Sequence, residues 1–128
     1  MAAHTVTIPQ RTCPVGPTVV GTASTSTSLT SVAVNIDRTV PGGLNSLPAA
    51  VTLRLASELS FDTGNTWALY STTTAQGGNV PDDQGNPETV QPDLFVFNPP
   101  LPHQTQARLT VTAAGQPVVI AGSVTLTD

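Results

Sequence analysis

Apolar and polar residues alternate one by one along the best-patterned stretches of this chain. A side-chain period of two belongs to a β-strand with one wet face and cannot be accommodated by a helix. Over residues 51–61, Val51, Leu53, Leu55, Leu59 and Phe61 share one side, with Ser57 as the only break; Thr52, Arg54, Glu58 and Ser60 share the other. Residues 31–38 repeat the pattern, with Val32, Val34 and Ile36 inward and Ala33, Asn35 and Asp37 outward. Leu109 and Val111 alternate with Arg108, Thr110 and Thr112, the turn Ala114-Gly115-Gln116-Pro117 follows, and 118–127 reads as the return strand. Gly122 in that strand marks a bulge or a close backbone approach.

No stretch carries apolar residues at helical spacing for three turns, and 12 prolines with 10 glycines punctuate the chain at short intervals. Weaker strands are expected at 5–8, 18–22, 66–73 and 94–98. The total of seven or eight strands with negligible helix predicts a single all-β, antiparallel β-sandwich. Residues 41–48 read as a short turn-rich loop and 76–92 as a long acidic one. The first 17 residues, with Pro9, Pro14 and Pro17, are expected to form an extended arm beside a sandwich domain of 18–128.

Charge is scarce: 9% of the 128 residues, against roughly 25% in an average soluble domain. Thr and Ser take the surface positions instead. The chain has no lysine, which removes amine chemistry such as Schiff bases and the phosphate-loop lysine. Four Lys+Arg against eight Asp+Glu argue against a binder that tracks nucleic-acid phosphates. The longest aliphatic run, 118–121, is far short of a membrane span. The first residues lack the apolar centre of a signal peptide, so a cytoplasmic site of synthesis is expected. A surface like that of an extracellular adhesive module on a cytoplasmic product fits a virion protein, assembled inside the cell and released with the particle.

Cys13 has no partner for a disulfide and reads as a small buried hydrophobe. His4 and His103 stand apart, with no nucleophile motif beside either, and with Cys13 they form no zinc pattern. Asp82, Asp83 and Glu88, with Gly85 and Asn86, faintly resemble an oxygen-rich calcium loop. Their spacing is not that of an EF-hand and Pro87 interrupts it, so a solvated acidic loop is expected. Glu58 and Asp62 could pair as carboxylates only if neither had another use, and each has one, in a sheet face and in a turn. No catalytic residue, cofactor or metal site is expected.

Ser60-Phe61-Asp62-Thr63-Gly64-Asn65-Thr66-Trp67 has the spacing Ser-x-Asp-x-Gly-x-Thr-Trp and resembles the Asp-box, a β-hairpin motif of sialidases and other β proteins. Asp62 is suited to accept amide hydrogen bonds across the turn, Gly64 to supply a conformation a side chain opposes, and Trp67 to cover the hairpin floor. The resemblance implies a structural hairpin of Ser60, Asp62, Gly64, Thr66 and Trp67, not a glycosidase. A sialidase would add an arginine cluster and a tyrosine nucleophile, whereas here the arginines are scattered and Tyr70 stands alone.

That hairpin, with the closing strand-turn Ala107-Arg108-Leu109-Thr110-Val111-Thr112-Ala113-Ala114-Gly115-Gln116-Pro117, is similar to immunoglobulin-like or fibronectin-like accessory proteins of tailed bacteriophages. The resemblance implies an immunoglobulin-like sandwich serving as a capsid decoration (cement) or head–tail accessory protein. Its partners would be the major capsid protein or other virion proteins, with a homo-oligomer as a further option. Partner contacts are then expected from Thr5, Val6, Thr7 and Ile8, whose short strand could add to a sheet edge, and from Asp82, Asp83 and Glu88. The alternative function is a carbohydrate- or host-surface-binding module working through exposed aromatics.

Overall fold

The computed structural model describes residues 3–24, 28–101 and 105–127. Eight strands carry the fold: β1 (Ala3–Cys13), β2 (Gly16–Ser24), β3 (Leu29–Asp37), β4 (Thr52–Ser60), β5 (Ala68–Gln76), β6 (Val90–Leu101), β7 (Gln106–Ala114) and β8 (Val118–Thr127). Among the described residues, helix is limited to the 3-10 turn Leu44–Ser46. The strands form two four-stranded antiparallel sheets, the first in the order β1-β8-β3-β6 and the second β2-β7-β4-β5. The all-β sandwich expected from period-two alternation is therefore the observed architecture.

The winding is specific. Of the eight strands, β4 and β5 are the only consecutive pair in one sheet; every other connection crosses between sheets. This is the order of a jelly roll. An immunoglobulin-like sandwich keeps its first two strands side by side; here β1 and β2 lie in opposite sheets. Period-two alternation says which face of a strand is wet and leaves the partner open, so the strand order was not in the pattern.

The inward residues interlock between the sheets. Val32, Val34, Ile36, Ile120, Val124 and Leu126 from the first meet Leu53, Leu55, Leu59, Leu109 and Val111 from the second, all buried. Phe61, expected on the inward side, is 59% exposed, and Ser60 is buried in its place. The alternation ends at Ser60 because the chain turns there into the 60–67 hairpin.

Irregularity is confined to the outer strands. The inner pairs β3–β8 and β4–β7 run in unbroken register. Each outer strand shifts register against its inner neighbour: β1 between Ile8 and Arg11, β2 between Val19 and Gly21, β5 opposite Ser57/Glu58, and β6 opposite Leu29/Ser31. Prolines fall on three of these strands: Pro9 within the β1 shift, Pro17 in β2, and Pro92, Pro99 and Pro100 in β6. Proline donates no ladder hydrogen bond and is tolerated where no neighbour needs one. Bulges and prolines also discourage a second chain from extending a sheet.

Of the arm expected over 1–17, the described residues 3–17 are not separate from the sandwich. Residues 3–13 are β1, paired along β8 from Ala3↔Thr127 to Cys13↔Val118, with Ile8 and Cys13 in the core. The segment is extended, as its prolines require, yet it is an integral strand.

Candidate functional site

The feature that sets this surface apart is the outer face of the first sheet. Register places its residues in three rows that cross all four strands. They are Ala3–Thr127–Ser31–Val96, Thr5–Thr125–Ala33–Leu94 and Thr7–Ser123–Asn35–Pro92, each in the order β1-β8-β3-β6. None of the twelve is charged. Leu94 and Val96 project from β6 at 63% and 65% exposure, while the other three strands contribute alanine, hydroxyl and amide side chains. The nearest charge along β3 is Asp37, opposite Val90 beyond the third row, where its carboxylate accepts hydrogen bonds from the Thr39 amide (2.8 Å) and hydroxyl (2.6 Å). Those bonds hold its pKa below the usual value.

The outer face of the second sheet is built differently. Glu58 on β4 lies opposite Arg108 on β7, and Arg108 Nε donates to its carboxylate at 3.1 Å, joined by the Thr110 hydroxyl. Burial would raise the Glu58 pKa, but the hydrogen bonds from Thr110 and Arg108 prevail and lower it. The guanidinium of Arg108 also lies 4.3 Å from the centre of the Trp67 ring. These contacts satisfy one another and leave Glu58 no free acid–base role.

The 60–67 hairpin is held by its own polar groups. The Gly64 amide donates to Ser60 Oγ (2.8 Å) and the Thr66 amide to Asp62 Oδ1 (2.9 Å). The Thr66 and Ser60 hydroxyls also donate to the Asp62 carboxylate, and Trp67 Nε1 donates to the Gly64 carbonyl (3.2 Å). Gly64 has φ 93°, in the region a Cβ disfavours. The bonds from Thr66 and Ser60 lower the Asp62 pKa from its ordinary 3.8 to about 2. A depressed folded-state pKa contributes stability that is complete above the unfolded value and lost as pH falls through the folded one. The hairpin should therefore keep its Thr66 amide bond down to about pH 3 and lose it toward pH 2, read by titrating the Asp62 carboxyl carbon by NMR.

Trp67 is half-buried, since one side of the indole lies on Arg108 and not on an apolar floor. A fully buried ring would cost about 3 kcal/mol on truncation. For this half-buried, cation-stacked ring Trp67→Ala should cost about 1–2 kcal/mol, measured by urea denaturation.

The residues expected to contact a partner are not brought to one place. Thr5 and Thr7 face outward in the rows above, but Val6 is half-buried and Ile8 is in the core, unavailable to a partner. Asp82, Asp83 and Glu88 sit in the β5–β6 connection, beyond Val90 at the far end of β6. There Asp82 Oδ1 accepts the amides of Gln84 (2.9 Å) and Asn86 (3.0 Å), and the Glu88 amide donates to the Val80 carbonyl at 2.7 Å. The loop is a hydrogen-bonded hairpin. Among the described residues no three His, Cys, Asp or Glu side chains converge as metal ligands. Cys13 is buried, which raises its thiol pKa against the weaker pull of Arg11. His4 lies on β1, and His103 falls outside the described residues.

Arg38 carried no sequence-based expectation, yet it organises the loop end of the sandwich. It is 1% exposed and occupies the next inward position after Ile36. Nε donates to Asn45 Oδ1 (2.8 Å), Nη1 to Gln91 Oε1 (3.3 Å), and Nη2 to the carbonyls of Gln76 (2.6 Å) and Gly78 (3.1 Å). Asn45 passes the connection on, its side-chain amide donating to the Glu88 carbonyl at 2.6 Å. Burial lowers the guanidinium pKa, and Glu88 opposes the shift.

No protein-family model matches the chain, and no curated protein matches it. Solved structures do resemble it. The VP2 subviral particle of infectious bursal disease virus superposes with TM-score 0.50 at 15% identity, over 98% of this chain and 32% of that one. The Gt strain of the same virus gives TM-score 0.46 at 18% identity, over 98% and 32% of the two chains. A galactose-bound exo-β-1,3-galactanase from Phanerochaete chrysosporium gives 0.43 at 9%, over 99% and 30%. The chain thus spans about a third of the length of each, and the first of them shares its fold.

Proposed function

We propose that this chain is a non-enzymatic structural component of a virus particle, packing through the outer face of its first sheet against another subunit of that particle. The observation that carries the proposal is the charge-free face itself. A twelve-residue sheet surface without one ionised group, on a chain of net charge -4, can be desolvated without stripping water from a charge. The fold likeness to VP2, from a subviral particle, supports the same use. Chemistry elsewhere points the same way, because Glu58, Arg108 and Thr110 on the second sheet and Asp82 in the acidic loop are engaged by internal hydrogen bonds. Within this reading, a bacteriophage decoration or head–tail accessory protein is the finer assignment, resting on the sequence resemblance above.

Leu94→Asp with Val96→Asp places two carboxylates on the face while leaving the core untouched. In cells that make the other particle proteins, the wild-type chain should be recovered bound to the purified particles, and at least tenfold less of the double variant should be bound, with an unchanged circular dichroism spectrum. Equal binding by the two proteins would remove the interface from this face.

A further inference from the structure

We infer that the subunit packed on this face is a second copy of the same chain, related by a two-fold axis lying in the interface and parallel to the strands. The inference rests on the reading of the face as an interface and adds the identity of the partner. Such an axis reverses the strand order over each row, so β6 of one protomer covers β1 of the other and β3 covers β8. The large apolar side chains Val96, Leu94 and Pro92 then meet the small Ala3, Thr5 and Thr7 of the partner copy, and the inner positions meet as Ser31 on Thr127, Ala33 on Thr125 and Asn35 on Ser123. Large opposes small at the sides and hydroxyl or amide opposes hydroxyl at two of the three central positions. That is the pairing interdigitated faces require, before the roughly 30° rotation of aligned sheets.

Charge, area and edges agree. The chain carries net charge -4, yet within the three rows no acid opposes an acid; the nearest, Asp37, lies beyond the third row, where Thr39 hydrogen-bonds its carboxylate. Four strands about 4.8 Å apart and nine residues of about 3.3 Å give the whole outer side of this sheet a projection of roughly 570 Å², of which the three rows, five residues long, make up roughly 320 Å². Side chains raise the accessible area above that projection, toward the roughly 800 Å² each partner contributes to a stable complex. The bulged outer strands disfavour the other sheet-based route to a dimer, edge-to-edge strand addition.

The test uses the purified full chain. Thr5→Cys and Leu94→Cys proteins are made separately, mixed, and treated with a short bismaleimide. Wild type treated with the same reagent controls for any crosslinking through the buried Cys13. The expected result is covalent dimer in the mixture and little from either variant alone, with sedimentation velocity showing a wild-type dimer whose dissociation constant Leu94→Asp raises about a hundredfold. Crosslinking of the Leu94→Cys protein with itself, or a chain that stays monomeric at all concentrations, would overturn the inference. A monomeric chain that still co-sediments with particles in a Leu94-dependent way would overturn the second copy alone. A chain that neither dimerises nor binds particles would overturn the proposed function as well.

Discussion

Replacing Arg38 by methionine should lower the stability of this fold by about 3–5 kcal/mol, and its melting temperature by roughly 10 °C or more. Methionine fills a similar volume, so the loss would come from the acceptors and not from a cavity. Asn45 Oδ1, Gln91 Oε1 and the Gln76 and Gly78 carbonyls would all lose a donor at a nearly inaccessible position. Arg38→Lys should recover little, because one ammonium group cannot reproduce the spread of the guanidinium fork over four acceptors on three segments. Hydrogen exchange should show the defect first in the 41–48 and 77–89 connections, which Arg38 and Asn45 tie together. Unchanged exchange in both connections would show that the clasp does not order them.

Gly122→Ala should cost about 3 kcal/mol or more, or prevent folding, as measured by chemical denaturation. A Cβ there would stand 1.9 Å from the Asn35 carbonyl oxygen and 3.0 Å from its carbon, both backbone atoms of the neighbouring strand. Neither can move without opening the inner β3–β8 pair. Gly21, on the outer strand β2, supplies the contrast. Its Cβ would make ordinary contacts with Ile8 (3.5 Å) and Val124 (3.7 Å), so Gly21→Ala should be neutral or slightly stabilising. Equal effects at the two positions would show that backbone approach is not what selects glycine at 122.

The two glycines also mark how far the sequence could be read. Gly122 was legible as a close approach because a glycine in the middle of an alternating strand has few other uses. The inward faces of β3, β4, β7 and β8 were legible for the same reason, since alternation records burial directly. The jelly-roll order was not, because no residue in β1 states that its neighbour is β8. The outer strands read as short and weak, because their bulges and prolines break the period at Pro9, Tyr70 and Pro99. Arg38 continued the inward phase of Val32, Val34 and Ile36, but an arginine there scores as a strand end until its four acceptors are seen in space. The candidate face was hidden in another way. Its members come from strands at both ends of the sequence and the middle, and only register sets Thr5 in line with Leu94.

Sequence and structure together describe a sandwich in which Glu58 and Arg108, Asp62 and Arg38 are engaged in the second sheet, the 60–67 turn and the loop end, while three rows across the first sheet's outer face carry no charge. Electron cryomicroscopy of purified particles containing this chain tests that description most directly. The expected result is density for an ordered, repeated eight-stranded sandwich with the outer face of β1-β8-β3-β6 buried against a neighbouring subunit, and Leu94 and Val96 inside the contact. A particle in which that face is open to solvent while Trp67, Glu58 and Arg108 make the contact would contradict it.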